Sequence, residues 1–380
     1  MSAGSPSRPF SAFAVAADPL ADEVVDDADH DGLAARTLQI SLDTWRAVRA
    51  DFARLPPKNG KNGKNGKNGD PLARAARAFA PHDPRAAPLP DRGPPTVCPA
   101  CLARRVRPVM ARLPGPTVYG ECEACGHGAI QPFGGSGARP GSGGAGGDPY
   151  RDPSYYVRRD DRGVGYAAYG ADASYRLEKG ARLVAALLDA TGGELRSLLE
   201  VGSGFGFTRE AARRAGLATG GVDLNAAACA EAERRFGLAT FDGDLARALA
   251  TRGSGVSAGA WDAVLYQFVL EHIESVDAEL VEARRALAAR GWLALLLPSM
   301  EAAERTVFGA SYRSLRADHL HLFSRASLRA ILDRAGFDVV RLESGCNLHL
   351  LRAFVPVPDL RRLYAAGLGP DLWCVARRRS

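Results

Sequence analysis

The sequence has 380 residues, 46% of them apolar and 24% charged, with a formal charge of +6. This apolar content is enough for a buried core, which excludes a wholly disordered or fibrous chain, and the length predicts two or three domains. The positive charge is concentrated in a lysine repeat and in three arginines at the end of the chain, so the nearly neutral remainder argues against a basic nucleic-acid groove. The longest apolar run, Trp292 to Pro298, is too short to cross a membrane.

Residues 1–95 are predicted to form a largely disordered arm. An acidic stretch and the repeat KNGKNGKNGKNG at 58–69 offer little apolar surface to offset chain entropy, and the repeat is typical of a flexible linker. One amphipathic helix is expected after Ser41, and a second short helix is expected from Asp70. The first helix would pack on the protein's own surface or on a partner through residues at helical spacing: Trp45, Val48, Phe52 and Leu55.

Residues 96–132 contain two CxxC pairs separated by 20 residues. This spacing suits tetrahedral coordination of zinc by thiolates, and the ion would supply folding energy that about 40 residues cannot obtain from a core. A redox-active dithiol is the alternative. Seven cysteines in all, an odd number, fit a reducing, cytoplasmic location better than a disulfide framework. Leu102 follows the first pair, where glycine is common. The predicted zinc ligands are Cys98, Cys101, Cys122 and Cys125.

Residues 133–149 are rich in glycine and predict a hinge between two domains. From residue 150 onward, apolar strand-like runs alternate with Ala- and Arg-rich helical stretches. Among these, ELVEARRALAARG is predicted as a helix and WLALLLPS as the strand that follows it. The alternation predicts a parallel sheet with helices on both faces.

The most informative segment is LLEVGSGFGFT, Leu198 to Thr208, in which a buried strand runs into a three-glycine turn and then into a helix. Glycine is needed where the backbone approaches a ligand closely, although an ordinary strand-to-helix turn is the alternative. The third glycine of a dinucleotide fingerprint is replaced by Phe207, and the lysine of a phosphate loop is absent. The spacing ExGxGxG instead resembles the first motif of class I S-adenosylmethionine-dependent methyltransferases, whose α/β fold is a Rossmann-like sheet of seven strands.

Further motifs carry the same resemblance. Asp223 ends the next strand, where its carboxylate would accept hydrogen bonds from ribose hydroxyls, and capping of the following helix is the alternative. The resemblance assigns Asp244 to the adenine amino group. WDAVLYQFVLEHI and DHLHLFSRASLRAILDRAGFDVV are similar to the methyltransferase-23-like branch, and DLWCVARRR resembles the antiparallel seventh strand. The resemblance covers residues 150–380 and implies cofactor contacts from Glu200, Gly202, Ser203, Gly204, Gly206, Asp223, Asp244 and Gln267.

Two histidines and a glutamate are the candidate catalytic residues. A general base favours methyl transfer to an alcohol or phenol, and His272 follows the fourth strand at the edge where such sheets bind ligands. Glu271 and His319 are the other candidates. A structural role is the alternative for each of the three. His272 and Glu271 would be residues at the start of a helix, and His319 would be a side chain packed in the interior. In similar quinone O-methyltransferases an acidic residue at the position of Gln267 helps to hold a divalent metal, so its absence here argues against a magnesium requirement.

A cluster of tyrosines lies upstream of the glycine turn, between residues 150 and 169. Aromatic faces attract a sulfonium cation, and similar Tyr-rich segments in relatives cover the cofactor, so Tyr166 and Tyr169 are expected to contribute to a lid. Core packing is the alternative for the whole cluster. Its members are Tyr150, Tyr155, Tyr156, Tyr166 and Tyr169.

Together these patterns predict a zinc-containing methyltransferase that uses S-adenosylmethionine to methylate oxygen, nitrogen or carbon of a small-molecule acceptor, such as a sugar or another secondary metabolite. A protein that binds or modifies nucleic acid through the zinc ribbon is one alternative, and a non-catalytic scaffold of the same fold is another. No membrane partner is expected, and the acceptor and the oligomeric state stay open. The arginines that would contact phosphates in the nucleic-acid alternative are Arg104, Arg105, Arg107 and Arg112.

Overall fold

The structure is a computed structural model that describes residues 97–104, 106–109, 118–131, 148–158, 165–166, 169–171, 173–308, 312, 314–316, 318–344 and 366–380. The predicted N-terminal arm, with its two helices and the KNG repeat, lies outside the described residues. So do most of the glycine-rich hinge and residues 345–365.

A seven-stranded mixed sheet forms the centre of the molecule, with strand order β10-β11-β8-β7-β4-β5-β6. Its first five strands in chain order are parallel, and β11 is antiparallel to both β8 and β10. This is the predicted class I arrangement, including the antiparallel C-terminal strand, so the fold prediction is confirmed. The strands are β4 Ser197–Val201, β5 Ala218–Asp223, β6 Phe241–Asp242, β7 Trp261–Gln267, β8 Leu287–Pro298, β10 Phe337–Ser344 and β11 Asp371–Arg378.

Helices cover the sheet because its central strands are apolar on both faces. Alternate residues of β4 enter different clusters: Leu199 packs with the helices of one face, and Leu198 packs with Leu183 and Leu187 of the other. Full burial of one leucine stabilises the fold by roughly 1.5–3 kcal/mol. The helices are α1 Ala173–Thr191, α2 Phe207–Arg214, α3 Ala226–Phe236, α4 Leu245–Ala250, α5 Val276–Ala286, α6 Ala303–Phe308 and α7 Arg325–Arg334. Among the described residues, none of these helices combines the length and the apolar content that a bilayer crossing requires.

Local signals fix where several helices begin and end. Asn225, Ser275 and Ser324 cap α3, α5 and α7 through side chains that accept backbone N–H bonds. The helix predicted for ELVEARRALAARG ends earlier than expected, at Ala286. Leu287 is already extended and pairs with Trp261 of β7, since the sheet offers these residues backbone partners and burial. The sequence therefore predicted the helix but not its C-terminal boundary.

The cysteine-bearing segment forms a small antiparallel sheet that is continued by the large domain. Its order is β1-β2-β3-β9, and β9 (His321–Leu322) belongs to the DHLHLF segment. Cys98 and Cys122 lie in the same buried cluster as Leu328 of α7. The four-cysteine module, residues 97–131, is thus packed directly on the large domain. Its other strands are β1 Val106–Val109, β2 Val118–Cys122 and β3 Gly128–Gln131.

Candidate active site

The glycine turn after β4 is built for close backbone approach. Gly202, Gly204 and Gly206 have φ values of +70°, +51° and +79°, a region that residues with a Cβ rarely adopt. A Cβ on Gly202 would lie 2.4 Å from Cγ2 of Val269. Gly206 precedes α2 and provides no side-chain cap, so the first N–H groups of that helix face the turn. The hydroxyl of buried Ser203 has no hydrogen-bond partner among the described residues.

Asp223 lies at the end of β5 beside this turn. Its Oδ2 accepts from the Gly204 N–H at 2.7 Å and from the Tyr156 hydroxyl at 3.3 Å, while Oδ1 accepts from the Asn225 N–H at 2.9 Å. Burial raises the pKa of the Asp223 carboxyl. Asn225 is the residue that caps α3, so Asp223 is not the helix cap. The carboxylate thus already accepts a hydrogen bond from one hydroxyl group, and a ribose hydroxyl would donate the same kind of bond.

The other predicted cofactor residues lie around the same strand ends. Glu200 is buried in β4, and its Oε2 has no hydrogen-bond partner among the described residues. Burial raises the pKa of its carboxyl to about 8, although the positive charge of Arg209 acts to lower it. Gln267, at the end of β7, accepts from the Thr208 hydroxyl at 2.9 Å. Asp244 is exposed and caps α4 by accepting from the Arg247 N–H at 2.7 Å. Unpartnered buried polar atoms beside a glycine turn fit a nucleoside-bearing cofactor.

Two histidines and a glutamate meet beyond the end of β7. Nδ1 of His272 lies 2.6 Å from the Asp318 carbonyl oxygen, and Nδ1 of His319 lies 2.9 Å from the Ser314 carbonyl oxygen. Because a carbonyl oxygen only accepts, both Nδ1 atoms carry the proton, and each neutral ring keeps a lone pair on Nε2. The two rings stand edge to face, with centroids 4.8 Å apart.

Glu271 completes this cluster. One ligand-type atom from each of Glu271, His272 and His319 lies within 4.8 Å of the others, and Oε1 of Glu271 is 4.0 Å from Nε2 of His272. In the part of the chain that the structure describes, neither Glu271 carboxyl oxygen has a hydrogen-bond partner. Burial raises the pKa of Glu271 and lowers those of both histidines, so all three groups favour their neutral forms. Such a set can take up a proton or hold a divalent cation.

Tyr150 connects the residues around Asp223 and Asn225 with the histidine cluster. The sequence analysis named it only as one tyrosine of a cluster. Its backbone carbonyl accepts from Nδ2 of Asn225 at 3.0 Å, and its hydroxyl lies 2.8 Å from Nδ1 of His272. Tyr156, by contrast, reaches Asp223. The rings of the five tyrosines contact one another in a chain of centroid distances from 4.9 to 5.9 Å.

The sequence analysis assigned no role to Arg316, which lies outside every motif, or to Asp318, which is the first residue of the DHLHLF segment. Their side chains form a two-point ion pair, with both N···O distances 2.8 Å. Burial opposes ionisation of Asp318, but the neighbouring His319 and Arg316 prevail and lower its pKa to about 2. The pair links two residues of the short segment whose Asp318 carbonyl oxygen contacts His272. Only the fold could reveal this, because neither residue type is unusual at its place in the sequence.

The four predicted zinc ligands converge at the tip of the small sheet. Sγ of Cys98 lies 3.7 Å from Sγ of Cys125, and Sγ of Cys101 lies 3.6 Å from Sγ of Cys122. A tetrahedral site with Zn–S bonds of about 2.3 Å has sulfur–sulfur distances of about 3.8 Å, so the donors fit zinc. The hydrogen bond from Cys125 lowers the pKa of Cys98 to about 5. Leu102 takes a φ of +63°, as Gly126 does at +71°, so the first knuckle forms despite its missing glycine.

Comparison with known proteins agrees with this geometry. Residues 169–342 match the family model described as a methyltransferase domain. They form an S-adenosylmethionine-dependent methyltransferase domain. The family prediction is therefore confirmed over this range. No curated protein matches the sequence significantly.

The methyltransferase domain is similar to several solved structures. One is an S-adenosylmethionine-dependent methyltransferase from Archaeoglobus fulgidus, with 19% identity, 52% of this chain and 94% of that chain covered, and a TM-score of 0.39. Another is the 1,6-didemethyltoxoflavin-N1-methyltransferase of Burkholderia thailandensis, with 20% identity and a TM-score of 0.38. The match covers 56% of this chain and 83% of that chain. A third, from Mesorhizobium loti, has 19% identity, coverage of 53% and 100%, and a TM-score of 0.40.

Within the methyltransferase domain, all of these groups lie at one edge of the sheet. The glycine turn, Asp223 and Gln267 follow the carboxyl ends of β4, β5 and β7, which are neighbours in the order β7-β4-β5. In an open parallel sheet, ligands bind at this edge, where successive crossovers turn in opposite directions. The Glu271, His272 and His319 cluster begins four residues after Gln267. The predicted cofactor residues and the Glu271, His272 and His319 cluster therefore lie at the same end of the domain.

Proposed function

We propose that the protein transfers a methyl group from S-adenosylmethionine to a hydroxyl oxygen of a small molecule, with His272 as the general base. The observation that carries this proposal is the lone pair on Nε2 of a neutral His272 inside a buried cluster. The carbonyl oxygen of Asp318 holds the imidazole in this tautomer at 2.6 Å. Burial keeps the ring neutral at physiological pH by lowering its pKa.

On the cofactor side, the proposal assigns the ribose hydroxyls to Asp223, the adenine amino group to Asp244 and the close backbone approach to the glycine turn. The hydroxyl that Tyr156 donates to Asp223 supports the first assignment, because a ribose hydroxyl would make the same bond. When bound, S-adenosylmethionine supplies an electrophilic methyl group on a positively charged sulfur. The tyrosine rings and the neutral histidines favour such a cation more than a positively charged site would.

On the acceptor side, His272 receives the proton that the hydroxyl loses as its oxygen takes the methyl group. With S-adenosylmethionine bound, the sulfur would keep the electron pair of the carbon–sulfur bond, and His272 would carry the resulting positive charge as an imidazolium. Asp318 and the uncharged Glu271 lie beside that developing charge, and His319 presents a second Nε2 lone pair to the acceptor. Such a base typically contributes 10²–10⁴-fold to the rate.

The enclosure of the cluster supports a small acceptor. The side chain of His272 is 14% exposed and that of Glu271 is fully buried, so a macromolecule would have to insert a single group to reach Nε2. The proposal extends to a structural zinc ion on the four cysteines, which the sulfur distances support. The paired cysteines also favour a cytoplasmic, reducing location.

The first experiment is calorimetric titration of the full chain with S-adenosylmethionine and S-adenosylhomocysteine, with metal content measured on the same sample. Isotope transfer from the labelled cofactor to phenols, sugars and amines would then identify the acceptor class. Micromolar binding, one zinc per chain and labelling of a hydroxyl compound are the expected results. A second metal ion that is lost in Glu271→Gln would assign the chemistry to a cation and overturn His272 as the base. Labelling of amines alone would overturn the hydroxyl acceptor.

A further inference from the structure

The four-cysteine module reaches the acceptor site through Tyr119 of β2. This residue is fully buried, and its single hydroxyl proton is shared between the carbonyl oxygen of Arg316, at 2.9 Å, and that of His319. Burial raises the pKa of Tyr119 well above its usual value, so the hydroxyl stays protonated and remains a donor. These bonds cross about 200 positions of the sequence, from the module to the segment that carries the histidine.

The segment held by Tyr119 also supplies the carbonyl oxygens that set both histidine tautomers. Asp318 accepts from Nδ1 of His272, and Ser314 accepts from Nδ1 of His319. A shift of this segment would release the Nδ1 protons and redistribute them between the ring nitrogens. The lone pairs on Nε2 therefore depend on a backbone segment that the module contacts through Tyr119, and in the case of His272 also on the Tyr150 hydroxyl, which lies 2.8 Å from Nδ1.

A second set of contacts fixes the residues that follow His319. β3 pairs with β9, and the Ile130 N–H donates to the Leu320 carbonyl at 3.1 Å. Nε2 of His127 lies 3.2 Å from Nδ1 of His321, and the Ser324 hydroxyl donates to the carbonyl oxygen of the ligand residue Cys125. The module thus holds the histidine segment on both sides of His319.

We infer that Tyr119 is a positioning residue of the acceptor site, through which the four-cysteine module fixes the Nδ1–H tautomers of His272 and His319. A buried hydroxyl on these carbonyl oxygens also satisfies them energetically, so the ring tautomers, and not the stability of the fold, distinguish positioning from a purely structural role. The inference rests on the proposed function for its catalytic meaning, but the tautomers themselves can be measured without an acceptor.

The test compares Tyr119→Phe with the wild-type full chain by NMR of ¹⁵N-labelled imidazole nitrogens, with signals assigned from His272→Gln and His319→Gln. The wild type is expected to show both rings as Nδ1–H tautomers. In Tyr119→Phe, a mixture of tautomers is expected, together with an approximately tenfold fall in kcat for methyl transfer. The affinity for S-adenosylmethionine and the zinc stoichiometry are expected to stay within twofold of wild type.

Two control variants separate positioning from general destabilisation. Tyr266→Phe also removes a buried tyrosine hydroxyl, one that donates to Glu279 at 2.8 Å on another face of the domain. Glu121→Gln weakens a different contact of the same strand, the ion pair with Arg305 at 2.7 Å. Both controls are expected to keep the wild-type tautomers.

Unchanged histidine signals in a folded Tyr119→Phe protein would overturn the inference, whatever the activity. Should Tyr119→Phe fail to fold, His127→Gln weakens the second set of contacts, and unchanged tautomers of His319 in that variant would also overturn it. Failure of the proposed function looks different: His272→Gln would then transfer methyl groups at the wild-type rate while Tyr119→Phe still altered the tautomers.

Discussion

At the scale of single residues, the most consequential feature is the protonation state of His272. We predict that His272→Gln slows methyl transfer about 100-fold or more, because the acceptor hydroxyl loses the group that takes its proton. The affinity for S-adenosylmethionine should not change, since the cofactor contacts lie on other residues. Single-turnover transfer and calorimetric titration measure the two quantities separately. Equal transfer rates in variant and wild type would show that the histidine is structural.

The pH profile follows from the same residue. Burial lowers the pKa of His272 below its usual 6.5, so the neutral, active form persists through pH 7 and is lost only as the pH falls through the depressed value. We therefore expect the acidic limb of kcat/KM to lie below pH 6.5. In His272→Gln this limb should disappear from the residual activity. An acidic limb above pH 7 would contradict the assignment.

Asp223 allows a test of the cofactor site. Asp223→Ala should weaken binding of S-adenosylmethionine by about 2 kcal/mol, close to 30-fold, because charged hydrogen bonds to the ribose are lost. Asp262→Ala is a matched control, since that carboxylate also accepts backbone N–H bonds, from Arg196 and Ser197, but at the opposite end of the strands. It should leave the affinity unchanged. Calorimetric titration of both variants decides the assignment.

At the scale of elements, the first cysteine knuckle stores conformational strain. Leu102 has a left-handed φ of +63° and a 60% exposed side chain, a conformation that costs roughly 1–2 kcal/mol for a residue with a Cβ. We predict that Leu102→Gly stabilises the zinc-loaded protein by up to about 1 kcal/mol, the gain being reduced by the entropy of glycine in the unfolded chain. Leu102→Ala keeps the strain and should give no such gain. Urea unfolding of both variants measures the difference.

At the scale of the whole molecule, the module and the methyltransferase domain share one core. Cys98, Ala100 and Cys122 lie in the same buried cluster as Leu328 and Ile331 of α7, so we expect the two parts to unfold together. Cys122→Ser should lower the melting temperature of the entire protein in a single transition. Added zinc should raise the melting temperature of wild type and not that of the variant. Two separate transitions, with only the smaller one affected, would contradict a common core.

The sequence by itself determined the methyltransferase domain and its α/β sheet with an antiparallel C-terminal strand, and it supplied the site residues that remain predictions. These are local properties, because each pattern lies within a short stretch of the sequence. The patterns are a glycine turn after an apolar strand, a carboxylate at the end of the next strand, and cysteines at metal-ligand spacing. Even so, the C-terminal end of α5 was predicted too far along, because pairing of Leu287 with Trp261 overrode helical propensity. The arm of residues 1–95 and the hinge remain predictions.

Only the tertiary structure decided which distant groups meet. Tyr119 reaches the carbonyl oxygen of His319, and Tyr150 reaches His272, although no motif relates these pairs in the sequence. The sequence predicts a glycine-rich hinge between the cysteine module and the methyltransferase domain, yet β3 of the module pairs with β9 of that domain. Hydrogen bonds and packing depend on positions in space, and pairs that are 122 and 200 residues apart leave no periodic signal in one chain. For that reason the contact between the module and the histidine segment was evident only from the fold.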